Sequence, residues 1–318
     1  MSEKPGFSSS DKLQVEQPSR SGSNRERAAD TSQPSVSGWS ERQRLLLWVV
    51  IGFLPSGLLV WALHHPLSRG ISEITLRNEL PIKAASAFFV GLATLIVSRM
   101  EKRSLADYGI PPRQVFGRRF WEGSIWGFVA LSAMLLMIRW SGDFQIDSIS
   151  LSADAAFRYA LGWAAAFLGV AITEEFAFRG YWLFVTSRRL RFWPSAVILS
   201  LVFAFAHIPN PGENALGLLQ VFAIGMLFCL TIRRTGNLWF AVGFHAAWDW
   251  AETFFYGTAD SGLLGEGHYL NTSVHGSTWI TGGSAGPEGS IFALVVLLLC
   301  ALLIHFRFPT ATYPDRPV

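Results

Sequence analysis

Residues 171–180 read AITEEFAFRG and close a long apolar run that begins near residue 156. Glu174, Glu175 and Arg179 therefore stand where hydrophobic neighbours dominate. One charged side chain at the centre of a membrane helix costs about 2.5–3.5 kcal/mol. Three within six positions need partners, and the rest of the chain has to supply them.

Half of the 318 residues are hydrophobic and 15% are charged, against about a quarter charged in a soluble domain. Mostly apolar stretches of membrane-crossing length fall near 45–63, 82–98, 121–138, 156–185, 195–208, 214–232, 237–256 and 290–308. The expected fold is all-α: a polytopic membrane protein of about eight transmembrane helices enclosing a polar cavity. Cys229 and Cys300 both lie in apolar stretches, so neither a disulfide framework nor a cysteine zinc site is expected. The net charge of +3 is modest, and no nucleic-acid partner is expected.

Basic residues crowd alternate loops: Arg42 and Arg44, then Arg99 to Arg119, Arg188 to Arg191, Arg233 and Arg234, and Arg307. The opposite loops hold fewer, although the first carries Arg69, Arg77 and Lys83, and the stretch 257–289 has no Lys or Arg. By the positive-inside rule both termini are expected in the cytoplasm. No retention signal ends the chain, so the expected location is a bacterial inner membrane.

Residues 1–40 are polar and read as a disordered cytoplasmic tail ahead of a transmembrane domain over 41–318. No secretory signal precedes the first apolar run. Pro55 and Gly57 predict a kink in the first span. The basic loop 100–119 reads as a surface connector, with a short interfacial helix as the alternative. The Gly-, Ser- and Thr-rich stretch 257–289 is either a connector or a cover over a site. No internal repeat of the inverted-transporter kind is visible.

Three spans carry ionisable groups: Glu174, Glu175 and Arg179 in the fourth, His207 ending the fifth, and His245, Asp249 and Glu252 in the seventh. Counted at 1.5 Å per residue from the basic loops, Glu174, His207, His245 and Asp249 lie roughly 16–22 Å deep. Four polar residues thus meet at one level. Glu175 and Arg179 are i,i+4, as are His245 and Asp249, so each pair shares a helix face. Glu174 points about 100° away from Glu175 and is free for another partner.

Taken singly, a membrane histidine is more often a packing residue than a catalyst, and a Glu–Arg pair is often scaffold. Taken together, a carboxylate and two imidazoles in a dry cavity suit hydrolysis by activated water. Glu174, His207 and His245 would also be the ligands if the site held zinc, as two His and one Glu do in some hydrolases. No HExxH or GxSxG motif is present.

These residues carry a resemblance. EEFAFR (174–179) matches the EExxxR motif of the CPBP family, the CAAX-protease and bacteriocin-processing intramembrane endopeptidases. FAFAH (203–207) matches its FxxxH, and HAAWD (245–249) resembles its HxxxN. The similarity covers about residues 150–305 and includes TGGSAGPEGS (281–290), which looks like a segment of some bacterial members. It implies a glutamic-type intramembrane protease of eight or so helices around a conical cavity. Glu174 with His207 would activate water, His245 and Asp249 would bind the oxyanion, and Glu175 and Arg179 would support the first motif.

Asp249 departs from the family's Asn. An ionised carboxylate would repel an oxyanion that Asn would bind, so Asp249 is either a neutral donor or a group that orients His245. The expected substrate is a peptide or membrane-associated protein, prenylated in the CAAX case or a bacterial peptide otherwise. No cofactor is expected, with zinc the alternative. A non-catalytic transporter or scaffold built on the same Glu/His/Asp cluster is the rival class.

Overall fold

The computed structural model describes residues 38–64 and 73–317, with side chains described for 38–59 and 74–317. The expected tail lies outside the described residues up to position 37.

The first helix, α1 (Glu41–Gly52), starts at a capping box in which Ser40 and Gln43 satisfy each other's backbone N–H groups. It breaks at Phe53 before α2 (Leu54–His64). Proline lacks an N–H and its ring crowds the carbonyl four residues back, so the kink foreseen from Pro55 opens two residues earlier. The next helices are α3 (Leu76–Met100), α4 (Arg118–Trp140) and α5 (Ala153–Glu175). A π-turn over Phe176–Tyr181 joins α5 to α6 (Trp182–Leu190), making one continuous rod over Ala153–Leu190. Then come α7 (Phe192–Ala206), α8 (Ala215–Thr235) and α9 (Trp239–Trp250). A second π-turn, Ala251–Tyr256, follows α9. Last are the short α10 (Thr278–Thr281) and α11 (Ile291–Arg307).

A helix covers each apolar stretch foreseen from the sequence. Among the described residues five are long and apolar enough to cross a membrane: Glu41–Leu59, Leu76–Met100, Arg118–Trp140, Ala153–Leu190 and Ala215–Thr235. Phe192–Ala206 and Ile291–Arg307 are shorter apolar helices. The stretch 239–256 is diluted by His245, Asp249 and Glu252. Length and composition therefore support five of the eight expected crossings. Large apolar side chains such as Phe88, Ile125, Phe157 and Leu298 face outward, as lipid contact requires.

Helices α4 and α9 touch backbone to backbone. A Cβ at Gly123 or Gly127 would overlap the carbonyl oxygens of Phe240 and Phe244, and one at Gly243 would overlap that of Phe120. Small residues permit this approach in membranes, where close packing replaces the hydrophobic drive. Helix α9 is thus locked against α4, with α5 also packed on it.

Four short strands, absent from the sequence reading, tie down the 257–289 stretch. Strand β1 (Glu73–Ile74) pairs in parallel with β3 (Leu264–Gly265). Strand β2 (Phe144–Ile149) pairs antiparallel with β4 (Leu270–Val274). The indole of Trp163 on α5 donates to the Glu266 carbonyl at 3.0 Å. The basic loop holds two 3-10 turns, Leu105–Tyr108 and Pro112–Gln114.

Candidate active site

Glu175 ends α5 and is 0% exposed. Arg179, one turn on, donates to its Oε1 at 3.1 Å. The guanidinium carbon lies 4.2 Å from the Phe203 ring centroid, and Phe178 and Phe228 are within 5.7 Å. Aromatic faces thus take up positive charge where lipid would reject it. Gly225 on α8 makes room, since a Cβ there would lie 2.6 Å from Nη2.

The same Glu175 Oε1 lies 3.0 Å from His245 Nδ1. A carboxylate accepts, so Nδ1 carries hydrogen and Nε2 faces the other way. The ring stacks on Phe228 at 5.6 Å, which fixes its plane. Nε2 then looks at Glu174 Oε2, 3.8 Å away, and at Asp249 Oδ2, 3.5 Å away. These spacings are slightly beyond direct hydrogen bonding, as is common before substrate tightens a site. With Nδ1–H held by Glu175, Nε2 donates only when the ring carries both protons.

His207 follows α7, and its Nδ1 lies 2.8 Å from the Phe203 carbonyl oxygen. That bond fixes the ring at the edge of a cavity of about 220 Å³. Glu174, His207, His245 and Asp249 all line it, while Glu175 and Arg179 stand behind. Of the six residues read from sequence, four therefore line the cavity and two stand in support.

Other wall residues were missed. Gln220 on α8 is buried, lines the cavity, and has no hydrogen-bond partner on either amide atom. Its amide within an otherwise apolar helix was the available signal. Lys83 and Glu79, 3.5 Å apart on α3, also line the cavity. Asp260, Ser261, Leu263 and Glu288 reach it from the 257–289 stretch, which therefore covers the cavity. Burial pushes the Asp260 carboxyl up to about 6, against a hydrogen bond from Thr253 that lowers it. Burial, helped by the nearby Asp260 charge, pushes Glu288 up to about 8.

Among the described residues, Glu252, Asp260 and Glu288 form the one group of three acidic, imidazole or thiol side chains with ligand atoms within 4.8 Å of one another. Glu174, His207 and His245 are not gathered in this way.

A family model, described as type II CAAX prenyl endopeptidase Rce1-like, matches residues 156–251. The matched stretch begins in the first turn of α5, ends just past α9 and contains all six residues. The match supports the CPBP/CAAX protease family for this chain. That family implies CAAX-type intramembrane protease activity on a peptide or protein substrate in the membrane. The long apolar helices agree with an integral membrane protein. No curated protein and no solved structure matches the chain.

Proposed function

We propose that the chain is an intramembrane endopeptidase in which Glu174 activates a water molecule for attack on a peptide carbonyl. The carrying observation is that Glu174 on α5, His207 just past α7, and His245 and Asp249 on α9 line one cavity. His207 would share the water with Glu174, taking or returning the proton. His245, held by Glu175, would present Nε2–H to the oxyanion, with Asp249 beside it as a neutral donor. Glu174 would then return the proton to the leaving amine. Glu175 and Arg179 position His245 without touching substrate.

The wall residues from the 257–289 stretch suggest that substrate enters from that face, opposite the basic loops. With those loops and both termini in the cytoplasm of a bacterial cell, the substrate would be a peptide segment reaching the membrane from outside. A cytoplasmic prenylated CAAX tail fits the reverse orientation. Labelling of a Leu263→Cys variant by an impermeant maleimide in intact cells distinguishes the two: labelling supports outward entry, and protection until lysis supports the cytoplasmic tail.

One observation favours a second reading. The Glu175–His245 bond is the outer support that a metal-ligating imidazole takes, and Glu174 lies 3.8 Å from Nε2. Stoichiometric zinc, with activity lost on chelation and restored by zinc alone, would establish that reading. The primary test is hydrolysis of a quenched-fluorescent peptide library in detergent. Cleavage by the wild type and none by Glu174→Ala or His207→Ala is expected. Absence of cleavage across the library, with proton-coupled uptake in liposomes, would replace the protease by a transporter.

A further inference from the structure

At the cavity wall three carboxylates meet with no ion-pair partner of their own among the described residues. Glu252 belongs to the π-turn after α9, and Asp260 and Glu288 lie near opposite ends of the 257–289 stretch. One oxygen of each lies within 4.8 Å of the other two. Glu252 is 0% exposed, and neither of its oxygens has a hydrogen-bond partner. Among the described residues no Lys, Arg or His forms an ion pair with any of the three; Lys83 is engaged with Glu79, and His245 with Glu175. A buried carboxylate with no donor on either oxygen is costly unless a proton or cation joins it.

The backbone brings the group together deliberately. Gly257, at φ +65°, turns the chain after the π-turn, and the Thr258 N–H donates to the Glu252 carbonyl at 3.0 Å. Gly286, at φ +100°, lies where a Cβ would overlap the Ala259 carbonyl oxygen, so the two ends of the stretch touch. Neighbouring donors fix the outer carboxylates. The Trp248 indole donates to Glu288 Oε1 at 2.8 Å, and Thr253 Oγ1 donates to Asp260 Oδ2 at 3.2 Å. The inward oxygens of Glu252 are left for a ligand.

We propose that Glu252, Asp260 and Glu288 bind a divalent cation of calcium's size, which clamps the end of α9 to both ends of the stretch covering the cavity. The donors are all carboxylate oxygens, the hard set such ions prefer. Calcium–oxygen bonds of about 2.3–2.6 Å place opposite ligands about 4.6–5.2 Å apart. Oxygens within 4.8 Å of one another therefore reach one such ion with little movement. Asp260 and Glu288 share the cavity with Glu174, but cation binding is read by terbium emission and melting rather than by turnover, so failure of either proposal is distinguishable from failure of the other.

The experiment uses the full chain in detergent, stripped with chelator and desalted. Terbium replaces calcium as the probe, because the Trp248 indole bonded to Glu288 is close enough to sensitise its emission. Saturable terbium emission under tryptophan excitation, displaced by calcium, is expected, together with a calcium-dependent rise in melting temperature. Glu252→Gln and Asp260→Asn should each weaken binding about 10-fold or more while melting in chelator no lower than the wild type. No saturable binding by the wild type at millimolar calcium would overturn the proposal. So would variants that bind as tightly as wild type, or displacement of terbium by zinc but not by calcium.

Discussion

Two buried glutamates on neighbouring elements meet opposite fates. Glu175 and Glu252 are both 0% exposed. Glu175 has Arg179 at 3.1 Å and His245 at 3.0 Å on one oxygen, whereas Glu252 has no partner on either. The first charge is balanced by the chain itself, within the span that carries it. The second lies where α9 gives way to the covering stretch, within reach of two more carboxylates. A charge balanced internally makes a rigid support for catalysis. A charge left open invites something from outside the chain.

The comparison breaks most sharply at Arg179. Removing one partner of a buried ion pair leaves the other uncompensated, at about 3–5 kcal/mol. Arg179→Met should lose about that much stability, read as a lowered melting temperature and poor recovery of monodisperse protein. Glu175→Gln added to it should restore much of the loss. A single variant as stable as wild type would show that Glu175 does not depend on Arg179.

A smaller effect is expected where α4 meets α9. Gly127→Val drives a side chain into the Phe244 carbonyl, next to His245, and overpacking costs about 1–3 kcal/mol. Thermal melting should fall accordingly, with activity falling further because His245 moves. Retention of both would mean that the helix contact does not position the site.

Much of the first region was legible in the sequence, and little of the second. Charge in an apolar run singled out Glu174, Glu175 and Arg179, and the i,i+4 rule paired the last two, as their 3.1 Å contact bears out. The Glu175–His245 bond was not legible, because it joins positions 70 residues apart. The sequence reading considered Asp249 as the partner that orients His245, yet Glu175 holds Nδ1 and Asp249 faces Nε2. Neither π-turn was visible, since an extra residue in a helical turn leaves no hydrophobic signature. Glu252 was noticed but given no role. Asp260 and Glu288 carry no site signal within their Gly-rich stretch beyond its lack of Lys and Arg, because strand pairing and glycine turns, rather than any local pattern, bring them to Glu252.

Glu252 supplies a gentler test of the same contrast. Glu252→Gln removes a buried carboxylate with no partner on either oxygen and should raise stability in chelator by about 1 kcal/mol, the opposite sign to Arg179→Met. Chelator-treated melting curves of the two variants measured side by side check it. Equal losses in both would erase the distinction between the two glutamates.

The mildest substitution is expected to be Asn at Asp249. Asn keeps the shape and donates at every pH, so Asp249→Asn should hold kcat/KM within about tenfold of wild type and broaden the alkaline limb. Asp249→Ala should lose activity throughout. An Asn variant as inactive as the Ala variant would make Asp249 an acceptor that serves His245.

The most direct measurement is the turnover of Glu174→Gln on a cleaved peptide, with folding verified by an unchanged melting temperature. Gln keeps the size of Glu but cannot take a proton from water. If Glu174 is the base, kcat should fall by about 10²-fold or more with KM little changed. A well-folded Gln variant with near-normal kcat would contradict glutamate-activated water.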